Sequence, residues 1–86
     1  MEKVIYGFLS QGSVELVERQ SKLYVRYDAG AHQVVWREDE ITQEEAQAIM
    51  QDESAISSVL INVQLRLKKQ GITYPISNWC PLSARL

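Results

Sequence analysis

An α+β fold is what this sequence predicts: a four-stranded antiparallel β-meander, then two α-helices packed on one face, in the order ββββαα, with an extended C-terminal tail. Three observations predict it. The first forty residues alternate apolar and polar at a period of two between short turn segments. From Ile41 the apolar spacing becomes helical and carries start and stop signals. After Gly71 the chain stays apolar but holds Pro75 and Pro81, which rule out a continuing helix or a central strand.

The first strand is expected from Val4 to Leu9, ended by the turn-forming Ser10-Gln11-Gly12-Ser13. Three more follow at Val14 to Arg19, Lys22 to Asp28 and His32 to Arg37, so that strands occupy about residues 4–37. The breaks at Gln20-Ser21 and Ala29-Gly30 suit two-residue hairpin loops. Such loops set Leu16 opposite Val25, Val14 opposite Tyr27, Val25 opposite Val34 and Leu23 opposite Trp36. One face then gathers Val14, Leu16, Leu23, Val25, Tyr27, Val34 and Trp36, and Glu15 falls across from Arg26. A three-residue loop with Gly12 in the left-handed conformation adds Tyr6 and Phe8 to that face. Ile5, Leu9, Val17, Tyr24 and Val35 lie on the reverse face, which predicts partial cover there as well.

Thr42-Gln43-Glu44-Glu45 is a capping box and opens a helix over about 42–51, with Ala46, Ile49 and Met50 as its buried side. A second helix over about 54–70 stops at Gly71 and carries Arg66, Lys68 and Lys69 in its last turn. Ile56, Val59, Leu60, Val63 and Leu67 make one stripe on a 100° wheel. Ile61 and Leu65 fall on nearly the opposite side and cannot face the same core. The tail, residues 72–86, is too apolar to float free, so it is expected to lie along the domain, with fraying after Ser83. Its Ile76 and Trp79 are the expected cover for Ile61 and Leu65, and a second molecule is the alternative.

The chain reads as a single α+β domain over residues 1–86. Its 45% hydrophobic and 23% charged content is that of a chain able to build one core. No apolar run is long enough to span a bilayer, and the first thirty residues do not resemble a signal peptide. With one cysteine, Cys80, and so no internal disulfide, a cytoplasmic location without membrane contact is expected. Charge is unevenly placed: Glu38, Asp39, Glu40, Glu44, Glu45, Asp52 and Glu53 form an acidic middle, while Arg66, Lys68, Lys69 and Arg85 make the end basic.

Chemistry-bearing constellations are sparse. Cys80 and His32 are the sole cysteine and histidine, with no local motif around either, so no catalytic residue is assigned. One His and one Cys fall short of a zinc site, and the acids lack the spacing of a calcium loop. No metal or cofactor is assigned. Ile41 to Ala46 superficially resembles the first helix of a helix-turn-helix repressor. No glycine turn follows Met50, however, and the next helix opens on Asp52 and Glu53, which repel phosphates.

These features favour a non-enzymatic protein-interaction or regulatory accessory module, a monomer or weak homodimer with a protein partner. The candidate contacts are Ile61 and Leu65 on the helix and the acids Glu38, Asp39, Glu40, Glu44 and Glu45. Two alternatives are carried forward. One is a small ligand-binding protein or enzyme with an aromatic-lined pocket, and the other is a nucleic-acid binder, which the acidic middle disfavours.

Overall fold

The computed structural model of the protein describes residues 2–8, 13–30, 33–72 and 76–80. Strands β1 (Lys3–Gly7), β2 (Glu15–Arg19), β3 (Lys22–Asp28) and β4 (Trp36–Ile41) form one antiparallel sheet in sequence order, followed by helices α1 (Gln43–Gln51) and α2 (Ala55–Lys69). The expected ββββαα order is the order found. Expectations placed on Leu9, Gly12, His32, Tyr74 and Leu82 fall outside the described residues.

Between β2 and β3 the pairing is the expected one, with Leu16 opposite Val25 and Glu15 opposite Arg26. Gln20 and Ser21 hold positive φ values of 54° and 66°. That is the mirror-image turn whose twist matches the flanking strands.

Along β1 the register shifts between Val4 and Tyr6. A bulge at Ile5 turns both Ile5 and Tyr6 towards the core, which corrects the placing of Ile5 on the reverse face. Gly7 then takes φ 69°, and a Cβ there would run into the carbonyl of Val14. The chain turns away at this point, so Phe8 is exposed rather than on the apolar face.

The fourth strand departs most from expectation. It covers Trp36–Ile41 rather than His32 to Arg37, and Val25 faces Asp39 instead of Val34. Leu23 faces Ile41, so Leu23 and Trp36 lie on opposite faces of the sheet. The cause is a loop longer than two residues. The Asp28 carboxylate accepts from the Gly30 and Val35 amides, both at 2.9 Å, and Ala29 N–H donates to Val35 O at 2.8 Å. Gly30 sits so close to the Gln33 carbonyl that no side chain fits. Pairing therefore resumes at Trp36, and Val34 is left exposed.

The core lies between the sheet and the helices. Val14, Leu16, Val25, Tyr27 and Ile41 meet Ala46 and Ile49 of α1 and Val59 and Val63 of α2, with Ile56, Leu60 and Leu67 packed at the margin. Met50, expected in this group, is exposed. The capping box at Thr42 is present: Glu45 N–H donates to Thr42 Oγ1 (3.1 Å) and Thr42 N–H donates to Glu45 Oε1 (3.0 Å). These bonds satisfy amides that the start of α1 would otherwise leave unpaired.

Candidate interaction site

The acidic segment is not gathered on one surface. Successive residues of β4 point to opposite faces, so Glu38 lies on the face away from the helices and Asp39 on the face towards them. Glu38 bonds Arg19 (2.6 Å) and Arg26 (2.8 Å), and Arg26 also holds Glu15 (3.0 Å) and Glu2. Burial pushes the Glu38 carboxyl up, but the hydrogen bonds from Arg19 and Arg26 outweigh it and hold the group below the usual carboxylate range. Glu45 follows the same balance: burial raises it, and the Thr42 amide and Arg66 lower it by more. Arg66 reaches Glu45 at 2.9 Å and ties α2 to α1. Only Glu40 and Glu44 of the five candidate acids are exposed.

On the core side, Arg37 grips Asp39 with two hydrogen bonds, Nε to Oδ2 at 3.0 Å and Nη2 to Oδ1 at 2.9 Å. Tyr27 donates its hydroxyl hydrogen to Asp39 Oδ2 (2.6 Å), and the Tyr27 oxygen accepts from Gln64 of α2 (3.2 Å). Burial first, and then the bond to Asp39, push the Tyr27 phenol well above its ordinary value. Among the described residues every buried side-chain nitrogen and oxygen has a partner, so this polar cluster sits in the core without an orphaned group.

The outer side of α2 is different. Ile61 is 60% exposed and Leu65 is 52% exposed, one helical turn apart. With Gln64, Lys68 and Ile72 they line a groove of about 330 Å³. The cover expected from Ile76 and Trp79 is not there. Trp79 lies instead on the far side of the sheet, its ring 4.4 Å from the Arg26 guanidinium carbon, where a desolvated cation attracts an aromatic face. Ile76 is exposed, and its carbonyl accepts from Arg37.

Comparison with protein-family models, curated proteins and solved structures returned no match.

The tail residues Ile76 to Cys80 do lie along the domain, beside β4. Asn78 N–H donates to Trp36 O at 3.3 Å, and its side-chain amide bonds both the N–H and the C=O of Glu38 at 2.8 Å each. One side chain thus takes the place of a neighbouring strand on the open edge of the sheet. Cys80 is exposed, and His32 lies outside the described residues. Among the described residues no three His, Cys, Asp or Glu side chains cluster to hold a metal, and no helix is long and apolar enough to cross a membrane.

Sequence reasoning missed the Tyr27–Arg37–Asp39–Gln64 cluster. Its one signal was the opposite charges at Arg37 and Asp39, two residues apart and so on one face of a strand. Asn78 carried no signal of its role.

Proposed function

We propose that this protein is a non-enzymatic interaction module, a small regulatory or accessory protein that docks a helical partner on the outer face of α2. The observation that carries the reading is the exposure of Ile61 and Leu65, adjacent on the helix and lining a mainly apolar groove. Exposed apolar residues one turn apart, with a cation alongside, match the mode in which an amphipathic helix lies in a groove. Lys68 at the groove suits an acidic residue on that helix. Three of the five acids that a rival surface would need are spent on internal pairs: Glu38 on Arg19 and Arg26, Asp39 on Arg37, Glu45 on Arg66. A single cysteine suits a reducing cytoplasm.

The test is affinity capture from the native cell with the parent chain and with Ile61→Gln/Leu65→Gln side by side. Each protein lost from the variant is then purified and its binding remeasured. The expected result is a folded variant whose affinity falls at least about tenfold, while Glu40→Gln/Glu44→Gln binds as the parent does. Identical capture by the parent and the α2 variant would remove this face as the docking site.

A further inference from the structure

We propose that the edge of β4 is a binding site for an extended segment that presents an asparagine followed by an aromatic residue, and that the chain's own residues Ile76 to Cys80 fill it in cis as a detachable strap. The site is separate from the α2 face and does not depend on it. Glu38 turns its backbone N–H and C=O outward from the sheet, and by the alternation of the ladder Trp36 and Glu40 present theirs to the same side. Asn78 meets Glu38 with a side-chain amide, which offers the same donor and acceptor as a peptide unit, and adds its own N–H to Trp36 O. A carboxylate in its place has no donor to return to the Glu38 carbonyl. The second half of the recognition is Arg26. Its nitrogens are taken by Glu38, Glu15 and Glu2, which leaves the flat face of the guanidinium for the Trp79 ring at 4.4 Å.

The segment crosses the edge from one face of the sheet to the other. Ile76 O accepts from Arg37 on the helix side, Asn78 sits at the edge, and Trp79 lies on the reverse face. Ser77 Oγ donates to Trp79 O at 3.2 Å and braces the crossing. Directional bonds rather than burial hold the strap. Ile76, Ser77, Asn78 and Cys80 are exposed, and the hydrophobic core takes none of the strap's residues. A segment held in this way opens while the domain beneath it stays folded. While closed, it denies other strands the backbone groups through which strand addition binds. Its tether makes closure intramolecular, so the tail of a second copy, with the same contacts and no tether, does not displace it.

Nuclear magnetic resonance titration of the whole chain with an end-blocked peptide of residues 76–80, under reducing conditions, tests this. The variant Asn78→Ala/Trp79→Ala is expected to keep the circular-dichroism spectrum of the parent and to bind the peptide, with the Glu38 amide signal returning towards its position in the parent. The parent, whose own strap fills the site, is expected to bind the peptide at least about tenfold more weakly. A peptide carrying Asn78→Asp is expected to bind the emptied variant at least about tenfold more weakly than the parent peptide does. Hydrogen exchange supplies the second arm: in the parent the Glu38 amide is expected to exchange faster than those of Leu16 and Val25, and faster again in the double variant, with Leu16 and Val25 unchanged. A double variant that loses its fold overturns the proposal, because the tail is then part of the framework and not a strap. So does a peptide that binds parent and variant alike, or binds neither, and so does a Glu38 amide that exchanges only when the whole sheet unfolds. A mean mass in sedimentation that rises towards two chains for the parent and not for the double variant would place the tail on a second copy and overturn the cis arrangement.

Discussion

Arg26 and Arg37 carry their charges into opposite sides of one sheet, with side chains only 8% and 4% exposed. Each is tolerable there because carboxylates surround it: Glu15 and Glu38 for Arg26, Asp39 for Arg37. Removing one partner of such a pair strands the other. Asp39→Asn is therefore expected to lower stability by about 3–5 kcal/mol in chemical denaturation, whereas replacing Arg37 and Asp39 together by leucine should cost far less. Titration gives an independent check on the same cluster. The Tyr27 phenol is raised in the folded state, so its contribution is complete below the ordinary tyrosine value near 10 and is lost as pH rises through the folded value. An ultraviolet titration should show one tyrosine ionising only as the chain unfolds in alkali, and Tyr27→Phe should abolish that late component. Glu38 works in the opposite direction. Its pKa is depressed, so its share of stability is present above the ordinary carboxylate value and fades as pH falls below it.

Turn chemistry decided which elements could be read in the sequence. Gln20-Ser21 is a true two-residue loop, and the β2–β3 register followed from it correctly. Both residues sit in the left-handed region, where a side chain costs about 1 kcal/mol. Ser21→Gly is thus expected to stabilise the chain by about 1 kcal/mol, raising Tm by roughly 4–8 °C in a domain of this size. Ala29-Gly30 looked equivalent and was not. Asp28 staples Gly30 to Val35 through its own carboxylate, and a side-chain staple of that kind leaves no trace in apolar periodicity. The five-residue displacement of pairing is odd, so it turned Trp36 off the core face and put Arg37 and Asp39 onto it. The predicted strands stop at Arg37 because carboxylates are poor strand formers; Arg19 and Arg26 make Glu38 acceptable in β4, and Arg37 of the same strand does so for Asp39. The helices were legible because capping and wheel position are local. Thr42 with Glu45 and the stripe from Ile56 to Leu67 needed no knowledge of the sheet.

At the scale of the whole molecule, the arginine–carboxylate pairs of the sheet and the exposed Ile61 and Leu65 of α2 lie on different elements. Three acids of the middle segment, Glu38, Asp39 and Glu45, are paired with arginines, the tail secures the β4 edge through Asn78 and the reverse face through Trp79, and the outer side of α2 keeps its apolar residues exposed. The candidate site was half legible for the same reason. Ile61 and Leu65 followed from helix geometry alone, while the fate of the acids and of the tail depended on contacts between residues far apart in sequence. The claim that a partner docks on the outer face of α2 is tested most directly by amide chemical-shift mapping of the parent chain as a protein recovered by affinity capture is added. The account predicts shifts confined to Ser57, Ser58, Ile61, Leu65, Lys68 and their neighbours on α2, with the sheet amides unmoved. Shifts centred on β1 and its open edge, or a spectrum unchanged on addition of that protein, would contradict it.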